Sequence, residues 1–454
     1  MSDTSFEKFK KVYFIGIGGI GMSAIARMFL LEGKEVFGSD LSASEVTDEL
    51  QKLGAQINIG EPKPVNGENF LPEGIDLVIY TVAIPETQPQ LREARSRTES
   101  DGSNVPVFTY PEALGILSKN KFTIAVAGTH GKTTTTAMVA KILIDAGLDP
   151  TVIVGSFLKD QKSNFVAGKS KYFIVEACEY KRSFLNLHPD ISIITNIDDD
   201  HLDYYKNMEG IQQGFTEFLG LVKNGGTVVT DSTHKNIAPV VRSVESQTDR
   251  KVELIDYNQI EDSVSLKIPG QHNIQNAKAA LVVAEIVGVA KDVALKALSN
   301  FSGTWRRFDY HGVAKSGVEL YDDYAHHPSE ISATLQAARE KFPKNSNNPN
   351  RKIVIAFQPH LYSRTKEHLE EFAPAFSGAD EILLLPIYAA REPKDPNISS
   401  ELVVEKMKAA GLNAQFFPTF ESAANYLNTD LKSGDVFFTM GAGDVSKIID
   451  IIEK

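Results

Sequence analysis

The feature that most constrains the fold of this chain is a short glycine-containing loop, residues 128–131, within the sequence VAGTHGKTTTT. The preceding residues, KFTIAVA, form an apolar β-branched run, and the following residues, AMVAKILIDAG, are apolar at helical spacing. This pattern predicts a strand, a glycine loop and a helix whose N-terminus faces an anion. Lys132 would reach the terminal phosphates of a nucleotide, and the Thr133 hydroxyl would bind Mg²⁺.

The loop therefore indicates an ATP site. Its spacing departs from the generic phosphate-loop signature, because two residues separate Gly128 from Gly131 where the signature has four. A tight strand-to-helix turn with an incidental lysine is the alternative.

The size and composition of the chain limit the classes of protein to which it can belong. A chain of 454 residues predicts two to four domains. The net charge of −12 argues against a nucleic-acid partner, and the apolar runs are too short to insert in a membrane. The first residues lack the apolar core of a signal peptide, so we expect a cytoplasmic protein. The single cysteine, Cys178, excludes an intrachain disulfide, and we expect it to be buried without a chemical role.

A second glycine pattern occurs near the start of the chain. Gly16, Gly18 and Gly21 fit G-x-G-x-x-G between a predicted strand and a predicted helix. Asp40 ends the next predicted strand, 24 residues after Gly16, where a dinucleotide fold places an acid on a ribose hydroxyl. NAD(P), a UDP-sugar and glycines that serve only close packing all remain compatible with this pattern. Thr81 follows a later predicted strand and would lie at the same ligand-binding edge.

Acidic residues follow two predicted strands of the middle segment. Carboxylates at strand ends beside a phosphate loop suit Mg²⁺, which prefers oxygen ligands. The candidates are Glu176, Asp198, Asp199, Asp200 and Asp203. His201 lies among them, although nitrogen is a more usual ligand of softer metals. Several of these acids could equally be solvated loop charges or helix caps.

Amide and guanidinium side chains supply further candidates. Asn273 and Asn276 precede an alanine-rich helix predicted at residues 277–287, and their amides suit the edge of an adenine base. N-capping by Asn273 is the alternative. Arg306 and Arg307 lie near a predicted domain boundary, where an arginine would clamp a phosphate.

The order of strands and helices predicts the α/β fold class with three α/β domains. The N-terminal domain would be Rossmann-like, the central one a P-loop ATPase and the C-terminal one Rossmann-like, with the ranges 1–108, 109–310 and 311–454. Ser329 is expected to cap a helix in the last domain. The predicted strands are residues 12–17, 35–40, 55–59, 76–80, 121–127, 151–154, 172–175, 191–195, 318–321, 352–357, 381–386, 415–417 and 436–440.

The motifs as a series resemble those of the Mur ligase family, and in particular its alanine-adding members. The series is GIGGIGMSAIA, GTHGKTTTT, EACEY, TNIDDDHLD, GQHNIQNA, WRRF, DDYAHHP, FQPHLYSRT and MGAGD, in order from residue 12 to residue 444. The resemblance implies domains for a UDP-substrate, ATP and an amino acid, in that order. It also implies that ATP phosphorylates the carboxylate of UDP-N-acetylmuramate and that the amine of L-alanine attacks the acyl phosphate. ADP and phosphate would be released, in a step of peptidoglycan synthesis.

The resemblance also assigns roles to residues at matched positions. ATP would be bound by Gly128, Thr129, His130, Gly131, Lys132, Thr133, Thr134, Asn273, Asn276 and Arg307. Thr133 and Glu176 would bind one Mg²⁺ ion and His201 a second. The UDP-substrate would contact Gly16, Gly18, Gly19, Gly21, Asp40 and Thr81. The amino acid would lie by Tyr324, His326 and Arg364. The catalytic residues implied are Lys132, Glu176, His201, Arg307 and His326.

Two departures from the family pattern concern the third domain and a metal-site lysine. Many family members have arginine where this chain has Leu361, so a single guanidinium, Arg364, remains for the amino-acid carboxylate. Sister ligases carry a carbamylated lysine after the metal histidine, but residues 214–218 read GFTEF and offer none.

Other functions compete with this interpretation. A muropeptide ligase would attach a tripeptide to the same UDP-sugar, whereas a folylpolyglutamate-type ligase would lack the first domain. An NAD(P)-dependent oxidoreductase would leave Lys132, Glu176 and His201 without a role. A non-catalytic nucleotide switch would not explain the two further ligand-type domains.

Overall fold

The computed structural model of the chain describes residues 6–65, 67–98, 102–161, 163–246, 251–344, 349–390 and 392–452. These residues fall into two compact units. The first lies within Met1–Ser265 and Gln275–Phe301, and the second within Leu266–Ile274 and Ser302–Lys454. Two β-sheets belong to the first unit and one to the second. The predicted α/β fold with three sheets is therefore confirmed, while the boundaries at residues 108 and 310 stay predictions.

The first sheet is parallel throughout, in the order β3-β2-β1-β4-β5. Its strands are β1 (Lys11–Ile15), β2 (Glu35–Asp40), β3 (Gln56–Ile59), β4 (Leu77–Tyr80) and β5 (Val107–Thr109). The helices are α1 (Ile20–Leu31), α2 (Glu45–Lys52), α3 (Pro89–Ser96) and α4 (Tyr110–Lys119). The chain order reverses between β1 and β4, so the loops that follow these two strands meet at a switch point, where such sheets bind ligands.

The central sheet has the order β12-β11-β10-β6-β9-β7-β8, and only the edge pair β7 and β8 is antiparallel. Its strands are β6 (Phe122–Ala127), β7 (Thr151–Leu158), β8 (Ser163–Val166), β9 (Tyr172–Glu176), β10 (Ile191–Ile194), β11 (Thr227–Thr230) and β12 (Glu253–Asp256). The helices are α5 (Lys132–Asp145), α6 (Leu202–Tyr205), α7 (Met208–Leu219), α8 (Ala238–Glu245), α9 (Gln271–Ile286) and α10 (Lys291–Asn300). Strand β6 is the middle strand of the seven and is buried along almost its whole length, so the loop predicted to bind phosphate begins at the centre of this sheet.

The third sheet has the order β13-β14-β18-β15-β16-β17, with β13 antiparallel to β14. Its strands are β13 (Asp309–Val313), β14 (Glu319–Asp323), β15 (Ile353–Phe357), β16 (Glu381–Leu384), β17 (Ala414–Phe416) and β18 (Val436–Met440). The helices are α11 (Pro328–Lys341), α12 (Tyr362–Glu367), α13 (Leu369–Ala375), α14 (Ser400–Ala409), α15 (Phe420–Asp430) and α16 (Lys447–Ile451).

The predicted strands all coincide with observed ones, but the sequence prediction missed β5, β8, β11, β12 and β13. Three details of the prediction were wrong. Helix α9 begins at Gln271, so Asn273 lies inside the helix and does not cap it. The N-cap of α11 is His327, two residues before Ser329. Cys178 is exposed and not buried, because it lies in the loop that follows β9.

One hydrophobic core joins the first two sheets. It contains Phe14 of β1, Phe29 of α1, Phe165 of β8 and Phe173 of β9. The third sheet has separate hydrophobic clusters, one of which contains Phe357. Among the described residues, every helix is too short or too polar to span a bilayer.

Candidate active site

The loop between β6 and α5 has a backbone that requires glycine at both ends. Gly128 has φ of 134° and Gly131 has φ of 81°, which L side chains rarely adopt. A Cβ at Gly128 would lie 2.1 Å from Thr195 Oγ1, and one at Gly131 would lie 2.7 Å from Asn276 Oδ1. The loop is therefore packed tightly against the end of β10 and against α9.

Asn196 holds this loop through its backbone and its amide. The Thr129 N–H donates to the Asn196 carbonyl at 3.1 Å, and the His130 N–H donates to Asn196 Oδ1 at 2.9 Å. The Asn196 amide donates in return to the His130 carbonyl at 2.9 Å. These two loop N–H groups already have partners, so an anion would be bound by the N–H groups at the start of α5, which lack partners within the helix.

Lys132 is the first residue of α5 and folds back over the loop. Its ammonium donates to the carbonyls of Gly128 at 2.6 Å and Thr129 at 2.9 Å, and to Glu179 Oε1 at 2.9 Å. Burial is the largest single effect and lowers the pKa of Lys132, but the acidic groups around the ammonium, Glu179 first among them, and the hydrogen bond to Glu179 together outweigh burial and raise the pKa. The side chain is therefore a positive charge held at the predicted phosphate site.

Glu176 ends β9 and meets α5 beside the loop. The Thr133 hydroxyl donates to Glu176 Oε2 at 3.0 Å, and the Gly155 N–H of β7 donates to the same oxygen at 2.8 Å. A Cβ at Gly155 would lie 2.7 Å from this carboxylate, so glycine is needed for the approach. The structure thus brings together the two predicted ligands of the first Mg²⁺ ion, both of which are hard oxygen donors.

His201 lies beside Glu179 at the start of α6. Its Nε2 is 3.8 Å from Glu179 Oε1 and 3.8 Å from Asp200 Oδ2, and its ring centroid is 4.7 Å from that of Tyr180. His201 has φ of 56°, in the left-handed region that histidine adopts more often than most residues with a side chain. The Tyr205 hydroxyl donates to the Glu179 carbonyl at 2.5 Å and ties α6 to this cluster.

The candidate carboxylates after β10 have different partners. Asp198 Oδ2 lies 3.4 Å from His130 Nε2, and this hydrogen bond holds the pKa of Asp198 well below its usual range. The Asp199 N–H donates to Asp198 Oδ1 at 3.1 Å, and the His201 N–H donates to Asp200 Oδ1 at 2.7 Å. The side chain of Asp203 lies outside the described residues. Two of these acids are thus helping to shape the loop that carries His201.

The predicted UDP-substrate residues converge at the switch point of the first sheet. The Gly18 N–H donates to Asp40 Oδ2 at 2.9 Å. Gly16 has φ of 81°, and a Cβ there would lie 2.6 Å from Thr81 Cγ2. Gly19 is the N-cap of α1. These four positions and Thr81 therefore share one edge of the sheet.

Gly21 has a packing role, which the sequence left open as an alternative for the glycines of this motif. A Cβ at this position would lie 2.4 Å from the Tyr110 ring, so glycine makes room for the tyrosine at the start of α4. Close packing is the expected role of the third glycine in this motif. A contact between Gly21 and a ligand stays a prediction.

The predicted amino-acid residues cluster in the second unit. The rings of Tyr324 and His326 lie 5.5 Å apart, and those of His326 and His360 lie 5.6 Å apart. The buried Arg364 places its Nη1 3.3 Å from His360 Nδ1. Leu361 is buried and is the N-cap of α12, with φ of 68°, next to His360. His360 is a polar group at this site that the sequence interpretation missed.

The structure separates the roles of the two adjacent arginines. Arg306 is buried and paired with Asp322 at 2.6 Å, and it also donates to the carbonyls of Gly441 and Gly443. Arg307 is 31% exposed and lies 3.6 Å from Glu330. Arg306 is therefore a structural ion pair, and only Arg307 can present its guanidinium to a ligand.

The two predicted adenine-binding amides have different surroundings. Both are buried. Asn276 lies in the first unit against Gly131, whereas Asn273 donates to the Pro269 carbonyl at 2.6 Å. Contact of either amide with a base stays a prediction.

Three protein-family models match the chain in sequence. Residues 11–122 match "Mur ligase family, catalytic domain", residues 126–247 match "Mur ligase middle domain", and residues 306–443 match "Mur ligase, glutamate ligase domain".

Curated relatives align with nearly the whole chain. A UDP-N-acetylmuramate–L-alanine ligase of Clostridium acetobutylicum is 41% identical, over 97% of this chain and 96% of the relative. One of the same name from Caldanaerobacter subterraneus subsp. tengcongensis is 40% identical over 98% of each chain.

Solved structures share the fold. The UDP-N-acetylmuramate–alanine ligase of Thermotoga maritima superposes with a TM-score of 0.76 at 28% identity, over 97% of each chain. A murein peptide ligase from Psychrobacter arcticus has a TM-score of 0.66 at 22% identity, a likeness of fold alone.

Proposed function

The chain belongs to the Mur ligase family, and we propose that it joins L-alanine to the carboxylate of UDP-N-acetylmuramate while ATP is converted to ADP and phosphate. The observation that carries this proposal is the identity of 41% and 40% to relatives named for that activity, over nearly the full chain. The reaction belongs to peptidoglycan synthesis. The same relationship favours a ligase over the oxidoreductase and the nucleotide switch considered from the sequence.

The proposed reaction has two steps. A carboxylate oxygen of the UDP-substrate attacks the γ-phosphorus of ATP, and the bond to ADP breaks. The amine of L-alanine then attacks the carbonyl carbon of the acyl phosphate and loses a proton, and phosphate leaves with the electrons of the C–O bond. Activation is necessary because an unmodified carboxylate is a poor electrophile.

Lys132 would stabilise the charge of the transferred phosphoryl group. Its ammonium is already positive and oriented by loop carbonyls, so little reorganisation is needed when charge develops nearby. The N-terminus of α5, including Thr134, would bind phosphate oxygens. Arg307 would supply a second guanidinium to the phosphates.

The metal-binding proposal rests on the donor set beside Lys132. Mg²⁺ would neutralise phosphate charge during transfer. Thr133 and Glu176 would hold one ion, since their oxygen atoms are 3.0 Å apart and hard. His201 would hold a second, with Glu179 as the carboxylate beside it.

The amino-acid site would use the cluster around Arg364. Arg364 would bind the alanine carboxylate, and His360 would supply the additional polar group where other family members have an arginine at position 361. His326 Nδ1 is 3.0 Å from the Tyr324 carbonyl, so a proton on Nδ1 would be donated there. Nε2 of His326 would then accept the proton that the attacking amine loses.

The proposed activity is tested by ADP release with ATP, Mg²⁺ and UDP-N-acetylmuramate across a panel of amino acids and the muropeptide tripeptide. We expect the highest kcat/KM with L-alanine and product mass equal to UDP-N-acetylmuramate plus alanine minus water. A higher kcat/KM with the tripeptide would identify a muropeptide ligase instead. Absence of ADP release with every acceptor would contradict the ligase proposal.

A further inference from the structure

Asn164 on the edge strand β8 is completely buried and bonded to one face of helix α1. Its Nδ2 donates to the Ile20 carbonyl and, at 2.9 Å, to Ser23 Oγ. Its Oδ1 accepts from Arg27 Nη1 at 3.1 Å. The three partners are spaced i, i+3 and i+7, so a single amide from the central sheet follows one stripe of α1.

These bonds attach the central sheet to the helix that carries the glycine loop. Ile20 is the first residue of α1, directly after the loop that ends at Gly19. Arg27 is itself buried and donates from Nη2 to Glu49 of α2 at 2.6 Å. Ile20 directly follows the loop and Arg27 lies about two turns further along α1, so these bonds fix the direction of the helix and the point where the loop joins it.

The partner strand of the same hairpin reaches the other ligand site. Gly155 of β7 donates its N–H to Glu176 at 2.8 Å. The pairing of β7 with β8 is regular at Ile153 but shifts register before Leu158, and Gly155 lies within that irregular segment. The hairpin therefore contacts the start of α1 through Asn164 and the carboxylate of Glu176 through Gly155.

We propose that Asn164 is a positioning residue that couples the glycine loop of the first sheet to the Glu176 end of the central sheet. Binding of the UDP-substrate at one site and of ATP with Mg²⁺ at the other then depend on each other. This inference rests on the proposed function, which assigns those ligands to the two sites. A buried amide with three partners suits the role, because any shift of α1 against β8 would leave polar groups unpaired.

A purely structural role makes a different prediction. Loss of the Asn164 bonds would then lower the stability of the fold and the affinity for both ligands. The effect of one ligand on the affinity for the other would not change. Coupling is reciprocal and is measured as the ratio of two dissociation constants, so it is separable from affinity.

The experiment measures the Kd of UDP-N-acetylmuramate by calorimetry, without and with saturating AMP-PNP and Mg²⁺, in the full-length protein. The variants are Asn164→Ala and Asn164→Asp; the latter keeps an acceptor for Arg27 but loses the donor to Ile20. The control is Phe165→Leu, which disturbs the adjacent core position without touching the amide. Thermal denaturation identifies variants of equal stability.

We expect the wild-type ratio of dissociation constants to move toward one by about threefold or more in both Asn164 variants, and to stay unchanged in Phe165→Leu. An unchanged ratio in Asn164→Asp, or a wild-type ratio of one, would overturn the inference. If Asn164→Ala does not fold, Asn164→Asp decides alone. Failure of the wild-type protein to bind either ligand would instead count against the proposed function.

Discussion

The buried pair of Lys132 and Glu179 lies where the proposed phosphoryl transfer would occur. The side chains are 13% and 5% exposed and 2.9 Å apart, so each charge depends on the other for compensation. Glu179 also lies beside His201, which connects the lysine to the proposed second metal position. Glu179 therefore orients Lys132 and His201. Of these three residues, Lys132 is the one proposed to contact the phosphate.

Replacing Lys132 with methionine should remove phosphoryl transfer and leave the first ligand site intact. We expect kcat for ADP formation to fall roughly 100- to 1,000-fold, because a positioned charge is lost at the transition state. The affinity for UDP-N-acetylmuramate should stay within twofold of the wild-type value. Both quantities are measured with the purified variant, by ADP release and by calorimetry.

Lys141→Met is the matched control for Lys132→Met. Lys141 lies on the same helix but pairs with Asp145 at 2.8 Å, away from the loop. We expect this variant to keep its activity within about twofold, as for a surface ion pair. Equal loss of ADP formation in the two variants, or loss of UDP-substrate binding in Lys132→Met, would contradict the assignment.

Asp323 in the third sheet gives stability a defined pH dependence. Burial raises the pKa of its carboxyl from 3.8 to about 6. The charge of Arg307 and the hydrogen bonds from the Phe308 and Ala325 N–H groups lower the pKa but do not outweigh burial. Between about pH 4 and pH 6 the folded carboxyl keeps a proton that the unfolded one has lost. The unfolding free energy should therefore fall as the pH rises through this window, by on the order of 3 kcal/mol, and stay lower above it.

The substitution Asp323→Asn removes this titration. We expect its unfolding free energy to lack that decline between pH 4 and pH 6, as measured by denaturant titration. The single tryptophan, Trp305, lies in the same unit and reports its unfolding by fluorescence. Identical pH slopes in the wild-type and variant proteins would contradict the raised pKa.

At the residue scale, the sequence predicted which motifs meet but not every partner. The positions of Lys132, Thr133 and Glu176 follow from a loop and a strand end, which local patterns reveal. Glu179 was missed although it lies three residues after Glu176, because nothing local distinguishes it from a solvated acid. Its importance comes from Lys132, 47 residues away. Long-range pairing of this kind requires the fold.

At the scale of elements, most strands with apolar β-branched runs were predicted, although β11, which reads TVVT, was missed. Two of the other missed strands, β8 and β13, carry polar residues. The strand β8 reads SNFV, and its buried asparagine resembles a loop residue until its partners on α1 are seen. The strand β13 reads DYHGV and is an edge strand with a glycine and three polar residues. Tertiary contacts decide such segments, so periodicity alone could not find them.

The strand β7 gives an element-scale prediction through Gly155. Alanine there would place a Cβ 2.7 Å from Glu176 and push the carboxylate away from Thr133. We expect Gly155→Ala to raise the Mg²⁺ concentration for half-maximal ADP formation by about tenfold, because supporting groups affect metal affinity by that order. The measurement is a Mg²⁺ titration at saturating ATP.

The same titration separates this effect from general destabilisation. If Gly155→Ala only destabilised the fold, its maximal rate would fall while the half-maximal Mg²⁺ concentration stayed constant. That result would argue against a metal role for Glu176.

At the scale of the whole molecule, the motifs predicted three domains, whereas packing joins the first two sheets in one core. The motifs predict one ligand site at each sheet, so three predicted sites suggest three domains. The sequence carries no comparable signal for a hydrophobic core shared by two sheets, because the sequence around a core residue such as Phe29 does not show which neighbours it contacts. The observed core contains Phe29 together with Phe173 of the central sheet.

This shared core predicts that the first two sheets unfold together. Phe29 is completely buried, with its ring centroid 5.4 Å from that of Phe6 and 6.0 Å from that of Phe14. Phe29→Ala should cost about 3–5 kcal/mol. Hydrogen exchange should then speed up in β9 and β10 as well as in β1 and β4, while β15 and β18 keep their protection.

Phe376→Ala provides the opposite case, since Phe376 is completely buried in the core of the third sheet with its ring 5.0 Å from that of Phe357. Amide hydrogen exchange in Phe376→Ala should accelerate in β15 and β18, whereas β1 and β9 should keep their protection. Faster exchange confined to the first sheet in Phe29→Ala would mean that the first two sheets are independent folding units. The three-domain division predicted from the motifs would then describe stability as well as ligand binding, and the continuous core would not.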